Sequence, residues 1–466
     1  MPWSPLVSPS VRQLVLLLLT ACASSLGAQD PAFVVTPVDV APPPLLSQRQ
    51  QGELRDRWLR ERVETLLPGL MRRSGIDTWV LISREYNEDP VLRTLLPSDW
   101  MGARRTTMLI VHDDGPGTPL TTLACSRYAV GEVFAAAWDP DTQPDQWARL
   151  AEILGELAPE RIGVNRSDHF GLADGLSSTH YEQLRAALPP ALRERVVSAE
   201  ALAIGWLETR LAAEMTVYPH IMRVAHAIIQ EAFSERVIVP GVTTTEDVVW
   251  WLRQRCADRG LAVWFHPTVD VQRADDERFD HLRSFSKRPD LVVIQPGDLL
   301  HCDFGITYCG LNTDTQHNAY VLRPGETAPP PGLVAAHESG KRVMDQLTAN
   351  FRNGRSGNDL LARTLADGRA AGLRPTVYTH PIGYHGHAAG PTIGLWDQQD
   401  GVPHTGDYPL HPNTAYSIEL NNAVHLPAWG KDVRMMMEED GYWDGERFRY
   451  IGGRQGELYL IPRQSD

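Results

Sequence analysis

The chain has 466 residues, of which 42% are hydrophobic and 22% charged. That apolar share supports a sizeable core and excludes disorder as the main state. Lys+Arg 44 against Asp+Glu 58 leaves a net charge of -14, which lacks the basic footprint of a nucleic-acid binder. At roughly 150 residues per domain, the length suggests two or three domains.

The amino terminus reads as a targeting segment. Arg12 precedes an apolar run from Leu14 to Leu19, followed by small residues. The run is far shorter than the roughly 20 apolar residues that a bilayer span requires. Residues 1–28 are therefore expected to be a secretory signal peptide, and the mature protein to be exported to the periplasm or tethered to a membrane. Leu19-Thr20-Ala21-Cys22 resembles a bacterial lipobox, in which Cys22 would carry a lipid anchor; ordinary cleavage after Ala28 is the alternative. No other stretch suggests a transmembrane span. The five cysteines (Cys22, Cys125, Cys256, Cys302 and Cys309) are too scattered for a disulfide framework and are expected to be buried free thiols.

Residues 29–50 carry Pro31, Pro37, Pro42, Pro43 and Pro44 and read as a linker. From Gln51 the apolar spacing predicts a helix, through Leu54, Trp58, Val63, Leu66, Leu67 and Leu70, with Gly75 as its C-cap. Strands are predicted at 78–82, 108–112 and 121–125, and helices at 146–157 and 181–188. This alternation predicts an α/β domain over 51–205. A second domain is assigned to 206–466. It opens with one long helix from Glu208 past Ile229, broken by Pro240-Gly241. Thr243 and Glu246 are expected to form a capping box for a helix ending near Gly260. Strands at 291–294, 299–304 and 319–322, helices at 332–347 and 357–371, and a final set of strands follow.

The chemistry sits in separated acids and imidazoles. Asp303 ends a strand, and a turn at Tyr308-Cys309-Gly310 leads to Asp314. A hairpin would set the two carboxylates side by side on one face, where they repel unless a cation neutralises them. Further on, His380, His385 and His387 fall within eight positions, hedged by glycines; in an extended strand His385 and His387 would face the same way. Imidazole suits Mn, Co, Zn or Fe. Glu419 follows a strand-like run and would be costly to bury without a partner. Glu438, Glu439 and Asp440 follow three methionines.

In this order and spacing, with the two Asp 11 apart (314 − 303), the pattern resembles the pita-bread metallopeptidases: methionine aminopeptidase, aminopeptidase P, prolidase and the metal-free creatinase. Gly297-Asp298 and Gly386-His387-Ala388-Ala389-Gly390 match family motifs, and the resemblance covers about 206–466. It implies an α/β amino-terminal domain plus an α+β pita-bread (creatinase-like) catalytic domain. It implies two divalent metal ions, manganese first, with Co, Zn or Fe also suited. Their ligands would be Asp303, Asp314, His387, Glu419 and Glu438, with Glu439 as the fallback for the last. The ions would acidify a bridging water and polarise the scissile carbonyl; Glu419 would be the general acid/base. The implied activity is an Xaa-Pro aminopeptidase or dipeptidase acting on short peptides. Dimerisation through the amino-terminal domain is common in that branch. A hydrolase of another small amide or ester, and a peptide-binding pseudoenzyme, are the alternatives.

Three family positions are changed. The substrate histidine 17 residues before the first Asp is Ser286, with His281 nearest. The histidine expected seven residues after His387 is Gly394. The arginine two residues before Glu438 is Met436, with Arg434 close by. His380, His385 and His425 are the candidates to take over substrate contacts, and His385 is the first choice for a catalytic role. Trp396 and Asp397 stand where they could shape the pocket, although packing explains Trp396 equally.

Overall fold

Ser47 caps the first helix by accepting a hydrogen bond from the Gln50 amide. In the computed structural model, which describes residues 43–275 and 292–463, helix Gln48–Glu61 continues through a π-helical turn, Arg62–Leu66, into Leu67–Ser74. Gly75 closes it with φ 65, the left-handed conformation that glycine adopts at least cost.

Six strands then form one sheet: β1 (Thr78–Arg84), β2 (Thr106–His112), β3 (Thr121–Ala124), β4 (Ala135–Ala136), β5 (Ile162–Val164) and β6 (Val196–Ser198), in the order β4-β3-β2-β1-β5-β6. Along β1, Trp79 and Leu81 cluster with Leu67, Met71 and Trp206, while Val80 and Ile82 cluster with Leu150, Leu154 and Leu184. Both faces are covered by helices, so the strand reads as a continuous apolar run rather than an alternating one.

The predicted long helix is two helices. Glu200–Glu208 and Ala212–Ala232 are separated by an extended break, in which Thr209 bridges Thr414 and the Arg210 amide donates to the Asn413 carbonyl at 2.7 Å. Apolar spacing runs through the break because both helices are buried, which hides the boundary. The next helix, Thr245–Asp258, is capped by Thr244 and Asp247, one residue later than Thr243 and Glu246. The strand expected at 291–294 is reduced to a bridge from Val293 to Thr244, with residue 291 outside the described residues.

The second sheet has nine strands: β7 (Thr268–Gln272), β8 (Leu299–Phe304), β11 (Thr315–Val321), β12 (Pro375–Val377), β13 (His380–Pro381), β14 (Thr414–Leu426), β15 (Lys431–Trp443), β16 (Phe448–Tyr450) and β17 (Tyr459–Ile461). A small hairpin of β9 (Thr307–Tyr308) and β10 (Leu311–Asn312) sits between β8 and β11, with Cys309 at φ 54 and Gly310 at φ 78 making its turn. Two half-sheets meet at one seam, where β11 touches β15 at the pair Gln316↔Glu438. Helices Ala212–Ala232 and Thr245–Asp258 cover one half through Leu300, Cys302 and Phe304 of β8. Helices Pro331–Ala349 and Gly357–Ala370 cover the other through Ile418, Leu420, Met435 and Met437. Period-two alternation then turns Asp303, Glu419 and Glu438 to the opposite, uncovered face. Cys125, Cys256, Cys302 and Cys309 are buried free thiols, as expected.

A buried ion-pair cluster ties the two regions together. Arg62 donates to Glu214 at 3.1 Å and to the Thr209 carbonyl at 2.7 Å, and Tyr384 donates to Glu214 at 2.9 Å. Burial pushes the Glu214 carboxyl upward, but Arg210 and Arg62 outweigh it and hold the group below its ordinary value. Removing one partner strands an uncompensated buried charge. Glu214→Ala is therefore expected to lose about 3–5 kcal/mol of stability in denaturant unfolding.

Candidate metal centre

The site is a row across the second sheet. Register pairing sets Asp303 opposite Gln316, Gln316 opposite Glu438, and Glu438 opposite Glu419. Directly paired side chains lie about 4.5–5.5 Å apart at Cβ. Asp314, one residue before β11, reaches in from the end of the ladder. The hairpin geometry expected from the sequence thus shifts by one pair: the residue facing Asp303 is Gln316, not Asp314.

Burial and mutual repulsion dominate the electrostatics. Asp303, Asp314 and Glu419 are all pushed well above the ordinary carboxylate range, first by burial and then by the charge of Glu438. Glu438 is pushed up to about 7 by burial, against hydrogen bonds from Ser417 and Gln316. Such a group of acids is balanced either by protons or by cations.

His380 completes the group. Its Nδ1 lies 3.0 Å from the Pro381 carbonyl, which can only accept, so Nδ1 carries the proton and Nε2 keeps its lone pair. Nε2 points at Asp314 (3.8 Å) and Glu438 (3.9 Å). Burial, reinforced by His387, drives this imidazole down to about 3, so it is neutral and ready to ligate. Potential ligand atoms fall into overlapping groups: Asp303, Asp314 and Glu438; His380, Glu419 and Glu438; and Asp314, His380 and His387. A divalent ion fits here on a structural ground: Asp303 Oδ1, Asp314 Oδ1 and His380 Nε2 are buried without a hydrogen-bond partner, and an oxygen-rich set with imidazole suits hard or borderline cations.

Of the remaining predicted residues, His387 stays with the group: it forms a possible ligand set with Asp314 and His380, and its ring, at the exposed edge, lies 4.7 Å from that of His380 and 5.2 Å from Trp264. Counting from His380 as the ligand, the histidine seven residues on is His387 itself, so the family spacing is kept in this register. The others separate. His385 does not face the centre: residues 383–387 bend rather than extend, and His385 meets the Pro90 backbone beside Arg93 and Arg210, with burial lowering it to about 4. The geometry therefore gives it no catalytic or substrate-binding place. His425 is exposed, 3.1 Å from Asp432, and about 20 Å along β14 from Glu419 at roughly 3.3 Å per residue. It too is removed from the substrate candidates. Glu439 points to the other face of β15, where His226 (3.0 Å), His317 (2.9 Å) and the Gln455 amide (2.7 Å) satisfy it. These two imidazoles outweigh burial and hold Glu439 at about 2. Met436 is buried and Arg434 lies 3.3 Å from Asn421 Oδ1, whereas Ser286 and His281 lie outside the described residues.

Residues the sequence reading passed over are Gln316, His301, Ser417 and Tyr378, all neutral or unclustered in the chain. Asp440 was seen only as part of an acid cluster; it is buried and accepts from the Asp314 amide at 3.2 Å. Strand parity is the signal that finds them: Gln316 is two residues from Asp314, and Asp440 two from Glu438.

Residues 220–443, which contain every member of this group, match metallopeptidase family M24. That segment belongs to metallopeptidase family M24. The family is metal-dependent, which agrees with the ligand groups here. The chain is similar in structure to the X-Pro aminopeptidase from Thermotoga maritima MSB8 (TM-score 0.59, 16% identity, 84% of this chain and 100% of that one). It is similar to the Xaa-Pro dipeptidase from Bacillus anthracis (0.57, 16%, 89% and 100%) and to the prolidase from Pyrococcus furiosus (0.52, 14%, 83% and 98%). No curated protein matches the sequence. The fold is thus an α/β amino-terminal domain followed by a pita-bread catalytic domain.

Two outcomes follow. His380→Ala is expected to weaken Mn(II) binding by more than ~100-fold in calorimetric titration, beyond the range usual for residues that only support a ligand; His385→Ala and His425→Ala should leave it unchanged. For the metal-free protein, Glu438 titrates at about 7 when folded against an ordinary 4.5. The folded state then binds more protons than the unfolded one between these values, so its stability falls as pH rises from about 4.5 to 7. Unfolding midpoints of metal-stripped protein should show that fall, with added Mn(II) restoring most at the upper end.

Proposed function

We propose that the protein is an exported, dinuclear metal-dependent peptidase of the Xaa-Pro type, acting on short peptides. The observation that carries the proposal is the pair of ligand groups, Asp303–Asp314–Glu438 and His380–Glu419–Glu438, which share Glu438. Asp303, Asp314, Glu438, His380 and Glu419 would hold the ions between them. When bound, such ions acidify water and polarise the scissile carbonyl.

The chain's own residues account for the remainder. Glu419, at the end of the row, would accept the proton of the attacking water on its carboxylate and return it to the leaving amine. His387 stands at the rim, where a substrate carbonyl would enter, with Trp264 and Tyr378 as neighbouring rings. Those rings would offer flat apolar walls to a proline-sized side chain. The leader over residues 1–28, with lipidation at Cys22 as one processing route, rests on the sequence, and pairing of two copies through the amino-terminal domain rests on the family resemblance alone. Among the described residues no helix is long and apolar enough to cross a membrane.

A second reading, hydrolysis of another small amide or ester, is favoured by one feature: Met436 occupies the strand position two residues before Glu438, where the family places arginine. A mass-spectrometric cleavage assay on a short-peptide library with Mn(II) separates the readings. Removal of a single amino-terminal residue before proline, reduced more than ~100-fold by Asp303→Asn, is the expected result. Cleavage of other bonds, or none from metal-loaded protein, would contradict the proline-directed reading.

A further inference from the structure

The centre of the acidic row is held by a neutral residue. Gln316 is buried, and its register neighbours on both sides are acids, Asp303 and Glu438. A carboxylate at this position would set like charges directly opposite one another, which destabilises a sheet. An apolar side chain would leave buried carboxylate oxygens without donors. An amide avoids both. Gln316 Nε2 lies 2.8 Å from Glu419 Oε1 and 2.8 Å from Glu438 Oε2, so its two N–H bonds are shared between the two glutamates.

An amide can do this only in one orientation. Flipped, its carbonyl oxygen would face two carboxylates. The orientation is set from the other side, where Gln316 Oε1 lies 2.8 Å from His301 Nε2. Because Oε1 can only accept, His301 Nε2 carries a proton. His301 is itself buried on β8, two residues before Asp303, and pairs in register with Asp270 of β7. The Asp270 carboxylate lies 3.6 Å from His301 Nδ1. The hydrogen-bonded pair His301 and Gln316 thus runs into the row from β8, ending on two members of the ligand group, with Asp270 beside His301 beyond hydrogen-bond distance.

We propose that Gln316, oriented by His301, is the positioning residue of the metal centre: it fixes one oxygen of Glu419 and one of Glu438, so that both carboxylates are set before an ion arrives. This rests on the metal-centre reading above. Partners of this kind orient ligands and typically change metal affinity by about 10–100-fold.

The test is calorimetric titration of Mn(II) into the full chain and three variants: Gln316→Met, His301→Ala and the double variant. Gln316→Met keeps the length of the side chain and removes both polar atoms. It should weaken Mn(II) binding by about 10–100-fold, and His301→Ala should weaken it by less. Because His301 acts through Gln316, the double variant should bind no worse than Gln316→Met alone, a coupling that general loosening of the sheet would not produce. Affinity of Gln316→Met within about two-fold of wild type, or losses that multiply in the double variant, would overturn the proposal. If Gln316→Met does not fold, as judged by circular dichroism, His301→Ala decides alone: an unchanged affinity overturns it. Wild-type protein that binds no Mn(II) would overturn the metal centre itself, a failure distinct from that of Gln316.

Discussion

Four buried carboxylates crowded onto one face of a sheet are the constraint around which the catalytic domain is organised. Burial raises the cost of ionising Asp303, Asp314, Glu419 and Glu438, and the charge of Glu438 adds to it for the other three. Replacing such a group by apolar residues would often stabilise a fold. Its retention is explained by a cation that the four can share, and the neutral His380, with its lone pair turned inward, extends the same logic.

The constraint explains the division of the sheet into faces. On β15, alternation sends Glu438 and Asp440 to the centre and Glu439 to the opposite side, where His226 and His317 supply compensating charge and hydrogen bonds. Two adjacent glutamates of one strand therefore have carboxyls displaced in opposite directions from the ordinary value, one to about 7 and the other to about 2. The seam between half-sheets lies at Gln316↔Glu438. The helices that cover the far face leave the row facing a small cleft lined by Gln316, Glu419, Thr376, Tyr378 and Trp396. The amino-terminal domain is joined to this framework by Arg62, Arg210 and Glu214, which lock the break between two helices that periodicity alone would join.

Much of this was legible in the sequence. The resemblance to the pita-bread metallopeptidases singled out Asp303, Asp314, Glu419 and Glu438, where strand position and the cost of burial alone left each undecided, and Gly75 and the 146–157 helix lie where local signals put them. The histidine register was not legible. Three histidines near glycines invite an extended reading, but residues 383–387 bend, so His380 faces the acids while His385 turns to the amino-terminal domain. Gln316 was missed for a different reason: a neutral amide carries no electrostatic signal in a sequence, and its importance comes from neighbours on strands far away in the chain. The helix break at Thr209–Leu211 was hidden because the contacts that force it, through Thr414 and Asn413, come from some two hundred residues downstream.

Anomalous diffraction from crystals soaked in Mn(II) addresses the central claim most directly. The account predicts two manganese peaks within the row, one among Asp303, Asp314 and Glu438 and one among His380, Glu419 and Glu438. Peaks confined to the His226–His317–Glu439 cluster, or none at the row at neutral pH, would contradict it.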